Sequence, residues 1–300
     1  MTAALAPATT VVRIPTRGPF CLQELATFGF GALHLQRWDD VWRLVFVIDG
    51  GHGHAGVAVR QVAPQSLELS IEAPPGALDA VVRQVARIAS CDHDGDAFAA
   101  LGDRDRVLRR LLAAAPGLRP PLFASPYEAA VWCLLSHRRS RRQGTVLRDR
   151  IAREHGVRFE VAGRELWALP SPARLLAVRE VPGLPGEQLA RIHAVASAAL
   201  DGQLDVDRLA AMDPDDAMRD LERIRGIGPF SSALVVVRAC GLSDVLPLQE
   251  PRSRAAVARL YGLPEPFDDA AYLRLAEAWR PFRTWVAVLA RAAGDRVPPG

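Results

Sequence analysis

The chain has no lysine and no asparagine, so every one of its 37 Lys-or-Arg positions is arginine. The missing lysine excludes Schiff-base chemistry on that side chain and the lysine of a P-loop. Cysteine is scarce: Cys21, Cys91, Cys133 and Cys240 lie far apart, with no CxxC pair. That spacing excludes zinc ribbons and sequence-clustered iron–sulfur motifs, and it fits reduced, buried thiols of a cytoplasmic protein. No run approaches the roughly 20 apolar residues that span a bilayer. The opening MTAALAPATTVVR lacks the basic and apolar regions of a secretion signal. No repeat of solenoid length is evident. The net charge of +3 permits a basic face but does not by itself specify a nucleic-acid partner, because a GC-rich genome also enriches arginine.

What is present is a globular composition: 300 residues, 49% hydrophobic and 24% charged, room for two domains or one large one. Residues 1–12 read as a loose tail and 13–88 as a small sheet domain. Val41–Ile48 is β-rich and ends at the turn Asp49-Gly50-Gly51. In 56–62 and 67–72 the bulkier apolar residues alternate, as a sheet with one buried face requires. After Pro74-Pro75-Gly76 a helix places Leu78, Val81, Val82, Val85 and Ile88 on one side. From 89 to 300 the pattern turns helical, with no convincing strand. A helix is expected to begin near Pro126, and further helices near 145–155, 172–180, 187–201, 214–224, 230–240, 252–261 and 269–293. The fold class is therefore α+β: a small N-terminal antiparallel sheet domain followed by a large all-α domain.

The informative segment is Leu221–Ala233. Gly226 and Gly228 allow backbone angles closed to other residues. Pro229 stands where a first helical residue would, and Gly241 can stop the helix that follows. Ile227 can pin the turn to the core. Two helices joined by a tight hairpin result, and a helix N-terminus of this kind favours a phosphate. The same spacing also suits a plain corner in a helical core.

This stretch resembles the helix-hairpin-helix of the base-excision DNA glycosylases, and the chain resembles the 3-methyladenine DNA glycosylase II (AlkA-like) family over most of its length. Pro116-Gly117-Leu118-Arg119 and Ser125–Trp132 resemble that family's entry to its first long helix. Val181-Pro182-Gly183-Leu184 resembles its next turn. Asp244-Val245-Leu246-Pro247, 256–262 and Trp279-Arg280-Pro281-Phe282-Arg283 resemble the segments after the hairpin. The resemblance implies a monofunctional glycosylase that flips a damaged base out of double-stranded DNA and hydrolyses its bond to the sugar. It implies a carboxylate six residues beyond Asp244, which is Glu250 where the family has Asp. It also implies a monomer, no organic cofactor, a structural monovalent cation at the hairpin carbonyls, and a bacterial cytoplasmic protein at the nucleoid when bound to DNA.

Other residues follow from the same match. Phosphate or groove contacts fall on Gly226, Ile227, Gly228, Phe230, Ser231, Ser232, His137, Arg138 and Arg139. The basic run His137–Arg142 is otherwise a solvated helix face, and the serines otherwise cap a helix. The base pocket falls on Phe28, Trp132, Leu234, Trp285 and Arg291. Here Leu234 replaces a family tyrosine and Arg291 a pocket tryptophan, a loss of aromatic faces that would attract a cationic base. These departures keep open a catalytically weakened DNA-binding relative and a helical scaffold that no longer binds DNA. Gly51-His52-Gly53-His54 reads as a turn between strands rather than a metal site. Cys91-Asp92-His93-Asp94 likewise reads as an acidic helix entry.

Overall fold

Alternation decides the N-terminal part. In the computed structural model, which describes residues 9–28, 38–51, 53–264 and 267–298, four antiparallel strands form a sheet. They are β1 (Thr10–Pro15), β2 (Trp42–Val47), β3 (His54–Ala63) and β4 (Ser66–Glu72), in the order β1-β4-β3-β2. Leu67, Leu69 and Ile71 of β4 and Ala55, Val57 and Val59 of β3 point into one core. Helix α2 (Leu78–Ile88) covers that face with Val81, Val85 and Ile88, and α1 (Leu22–Thr27) closes its edge. Strand β1 begins at Thr10, so pairing with β4 claims residues of the stretch read as a tail; residues 1–8 lie outside the described residues.

Strand β2 is buried at all six positions. The reason overturns one expectation. The region after residue 89 does contain strands: β5 (Val157–Val161) and β6 (Arg164–Ala168) form a hairpin that packs on the outer face of the N-terminal sheet. Phe159, Val161 and Ala168 join Val41, Val45 and Ala58 in one apolar cluster. A Cβ on Gly56 would stand 2.7 Å from the Phe159 ring, so glycine is what lets β3 and β5 approach. The buried Arg43 guanidinium donates from Nε to the Val161 carbonyl (3.1 Å) and from Nη1 to Asp39 (2.7 Å).

The remainder is helical: α3 (Gly95–Ala99), α4 (Leu101–Arg104), α5 (Arg106–Ala114), α6 (Pro126–Ser136), α7 (Arg141–His155), α8 (Pro172–Leu176), α9 (Gly186–Leu200), α10 (Val206–Ala211), α11 (Pro214–Leu221), α12 (Pro229–Ala239), α13 (Pro251–Tyr261), α14 (Asp269–Ala276) and α15 (Arg283–Ala293). The single helix expected over 269–293 is two, since Pro281 cannot continue a helix. One core lies among α6, α7, α9, α11 and α12, and a second among α5, α13, α14 and α15. Arg119, 1% exposed, fastens the 116–121 linker by donating to the carbonyls of Ser90 (3.0 Å), Pro19 and Arg17.

The two weak polar clusters serve structure. His54 Nε2 lies 2.9 Å from the Leu169 carbonyl, and burial lowers its pKa; His52 is outside the described residues. His93 Nε2 meets the Gly241 carbonyl at 2.8 Å, and Asp94 caps α3. Burial pushes the Cys91, Cys133 and Cys240 thiols up to about 12, far from reactive. No helix is long and apolar enough to cross a membrane among the described residues.

Candidate functional site

The hairpin forms from local sequence. Helix α11 ends at Leu221, the Ile227 N–H bonds to the Ile224 carbonyl (3.0 Å), and Gly226 takes φ +97°. Pro229 opens α12, and Ser232 N–H to the Gly228 carbonyl (2.9 Å) is its first helical bond. Among the described residues, no chain acceptor meets the N–H of Gly228, Phe230 or Ser231. A Cβ at Gly228 would meet nothing within 4 Å. This is an open, amide-lined helix start, the geometry that receives an anion.

The turn uses two of the expected contact residues internally. Ile227 is buried and its amide is spent on Ile224, so it anchors the loop rather than meeting a ligand. Ser232 is fully buried, and its hydroxyl donates to Glu222 Oε1 at 2.9 Å. Ser231 lies beside the Cys133 thiol and lowers its pKa, against the larger effect of burial. Phe230 is the exception to burial: 55% exposed, it projects beside the hairpin.

His137, Arg138 and Arg139 form the loop between α6 and α7, so the basic run starts in a loop rather than on a helix face. A 350 Å³ groove joins these three residues to Gln188, Arg191, Gly226 and Ser231, placing loop and hairpin on one rim. Arg138 adopts φ +53°, a left-handed angle that costs a side-chain-bearing residue energy. A reciprocal Ser140–Gln143 capping box starts α7 immediately afterwards and holds the loop in place.

Between hairpin helix and α15 lies a narrow cavity of about 70 Å³. Helix α12 contributes Phe230, Leu234, Val237 and Arg238, at spacings i, i+4, i+7 and i+8. Helix α15 contributes Thr284, Val288 and Arg291, at i, i+4 and i+7. Phe28 closes one wall and Glu250 another. Glu250 is placed by the segment after α12. Asp244 takes Arg283 Nε (2.9 Å) and Arg280 Nη1 (2.7 Å), and Thr284 Oγ1 bonds both the N–H and the carbonyl of Val245. Those bonds lace the start of this segment to α15.

Glu250 then caps α13. Its Oε2 accepts from Ser253 N–H at 2.8 Å and Ser253 Oγ–H at 2.7 Å, with Arg291 Nη1 3.7 Å away. Oε1 has no partner among the described residues. Arg238 forms part of the wall: it is 6% exposed, donates from Nη2 to the Pro121 carbonyl (2.6 Å), and lies 5.8 Å over the Phe28 ring. Burial pulls its pKa down to about 9, the neighbouring Arg291 pushes the same way, and Glu250 opposes.

No protein-family model matches the chain. A curated relative, DNA-3-methyladenine glycosylase 2 of Escherichia coli, is 29% identical over 183 residues, 60% of this chain and 61% of that protein. A probable bifunctional transcriptional activator/DNA repair enzyme AlkA of Mycobacterium tuberculosis is 26% identical over 66% of this chain and 40% of its own length. The chain thus spans less than two thirds of these relatives. The fold agrees with a 3-methyladenine DNA-glycosylase from Archaeoglobus fulgidus at a TM-score of 0.77 and 19% identity, covering 95% of this chain and 98% of that one. The chain is thus similar to AlkA-like DNA-3-methyladenine glycosylases in sequence and shares their fold. A Clostridium acetobutylicum 8-oxoguanine glycosylase/lyase in its apo-form shares the fold at a TM-score of 0.63 and 13% identity, over 94% and 98% of the two chains.

Of the residues expected in the base pocket, Phe28, Leu234 and Arg291 do reach the cavity with Glu250. Two of the expected pocket aromatics do not line it. Trp285 is 2% exposed and packs edge-on to Phe98 (5.0 Å) and His93 (5.3 Å), which makes it core. Trp132 faces a different cavity, against Phe46, Phe123 and Arg148. Arg238 is the charged cavity residue, among the described residues, that sequence reasoning missed. Its signal was present, four residues beyond Leu234 and eight beyond Phe230, on the same helical stripe. For a monovalent cation, the carbonyls of Arg225, Gly226 and Ile227 accept no hydrogen bond among the described residues, so the loop has oxygen donors to offer.

Proposed function

We propose that the chain is a monofunctional DNA glycosylase of base-excision repair that hydrolyses the N-glycosidic bond of alkylated or otherwise damaged bases. The observation that carries this reading is the position of Glu250. Its carboxylate opens onto the cavity that α12 lines, and α12 begins at the amide-lined hairpin. A phosphate held at Gly228, Phe230 and Ser231 brings the neighbouring nucleoside toward that cavity, while His137, Arg138 and Arg139, which line the same groove as the hairpin, follow the backbone.

In the reaction the base departs with the electron pair of the C1′–N bond and the sugar becomes cation-like. Glu250 stabilises that charge and accepts the proton of the attacking water, whose oxygen bonds to C1′. The capping bonds from Ser253 hold Oε2 and leave Oε1 for the sugar and water. Without lysine, no amine nucleophile competes with water. The carbonyls of Arg225–Ile227 would hold a monovalent cation that steadies the hairpin. The protein acts as a monomer on double-stranded DNA in the bacterial cytoplasm.

The test is release of free base from an alkylated duplex. Glu250→Gln is expected to lower release on the order of 100- to 1,000-fold while abasic-duplex binding stays within about threefold. Unchanged release in that variant overturns the reading. A second reading, a DNA binder with weakened catalysis, is favoured by Arg291, which stands 3.7 Å from the carboxylate in a cavity with room for about two waters. Salt-dependent duplex binding with no base release supports it.

A further inference from the structure

We propose that the cavity discriminates by charge: it disfavours cationic N-alkylpurines and takes neutral bases that carry ring carbonyl oxygens, with the Arg291 guanidinium as the discriminating group. This rests on the reading that the cavity receives the flipped base.

The charge balance of the walls supports it. Among the described residues, two guanidinium groups, Arg238 and Arg291, face one carboxylate, Glu250. Both are donors only, with no acceptor to offer a base, so they match carbonyl oxygens and repel a ring that carries positive charge. The single carboxylate is already turned to the Ser253 amide and hydroxyl, with Arg291 beside it. A third guanidinium, Arg141 at the start of α7, is near enough to Arg291 to act on it. Burial lowers the Arg141 pKa, and the Arg291 charge pushes it the same way.

The aromatic walls point the same way. A cationic base is drawn to an aromatic face. The Phe28 ring already has the Arg238 guanidinium over it at 5.8 Å. Leu234 offers no π face, and Arg291 stands where a further ring would be needed. Arg291 is also the wall residue best placed to give way. It is 42% exposed, and in a cavity of about 70 Å³ a base enters as that side chain swings outward and re-forms its bonds on the base edge.

The experiment uses the full chain and duplexes carrying one lesion, hypoxanthine (neutral, with a ring carbonyl) or 7-methylguanine (cationic), on a 2′-fluoro sugar that resists base loss. Binding is then read independently of turnover. The wild type is expected to bind the hypoxanthine duplex at least about tenfold more tightly. Arg291→Gln narrows the ratio to about threefold or less. Arg158→Gln, which removes the same charge from the exposed β5 strand, leaves it as in the wild type. Equal binding of the two duplexes by the wild type, or a ratio unmoved by Arg291→Gln, overturns the proposal. Failure of the glycosylase reading shows differently: the same lesions on ordinary deoxyribose are not released while the binding preference and its loss in Arg291→Gln persist.

Discussion

The hairpin and the cavity meet on α12, and they are built by different means. The hairpin is a backbone device: two glycines, one proline and a buried isoleucine within four consecutive residues set the path of the chain and expose its amides. The cavity is a side-chain device, assembled from α1's end, α12, the start of α13 and α15. The first tolerates little change at the glycines, because under the proposed function the main chain itself is what meets the phosphate. The second can be re-lined residue by residue on an unchanged scaffold, as Leu234, Arg238 and Arg291 illustrate.

That contrast can be broken most forcefully at the aromatics. Trp285→Ala removes a ring packed against Phe98, Phe282 and His93, and is expected to cost about 3–5 kcal/mol in denaturant unfolding. Phe230→Ala removes an exposed ring beside the hairpin. It should leave stability within about 0.5 kcal/mol while weakening binding to damaged duplex in an anisotropy titration. Equal stability losses would mean that both rings are core and the cavity wall is misplaced.

The two glycines give a finer cut. Gly226→Ala forces a methyl-bearing residue to φ +97° with Arg191 side-chain atoms 2.9–3.1 Å away, so a loss of about 1–2 kcal/mol in thermal or denaturant melts is expected. Gly228→Ala has open space and φ −111°, hence little change in stability. The added methyl instead sits where a phosphate would approach, and duplex affinity should fall with all sequences alike. A Gly228→Ala protein that binds duplex as well as the wild type would remove the hairpin from the DNA surface. Converting Arg138 or Arg139 to Gln should lower the salt slope of binding by about one each, if each meets a phosphate.

The smallest expected effect lies away from both regions. Burial raises the pKa of Glu128, whose Oε1 accepts the Val47 N–H at 2.8 Å, while Arg148 partly offsets the shift. As pH rises from its ordinary value of 4.5, the unfolded chain loses this proton before the folded chain does, so stability falls across that window. Glu128→Gln keeps an acceptor and removes the titration. Its unfolding free energy, measured from pH 4.5 upward, should slope less than that of the wild type.

Legibility followed the range of the interactions. The hairpin and the Pro251–Tyr261 helix were readable because glycine, proline and capping act over a few residues. The helices expected over 187–201 and 230–240 match α9 and α12 to within one residue at each end for the same reason. The β5–β6 hairpin was missed although 157–161 alternates and Ala162-Gly163 makes a tight turn with both φ angles positive. Its strands are short and matter only because they pack on a sheet a hundred residues earlier. Trp132 and Trp285 enter the expected pocket only as the aromatics left to supply its wall, and residue type does not say which side of a helix faces a cavity. Arg238 was overlooked because an arginine among valines reads as an exposed charge, whereas here the Pro121 carbonyl and the Phe28 ring receive it.

The β5–β6 hairpin has a bearing on how the polypeptide can be divided. Phe159 and Val161 are 7% and 5% exposed only because Val41, Val45 and Ala58 cover them. A protease cut or gene truncation near residue 89 that discards the N-terminal sheet would uncover that apolar strip and leave the Val161 and Ala162 carbonyls without the Arg43 donor. The sheet is thus the shield that lets the helical half stay soluble on its own surface. Trimming it to obtain a minimal helical fragment is expected to yield aggregates rather than a smaller folded protein.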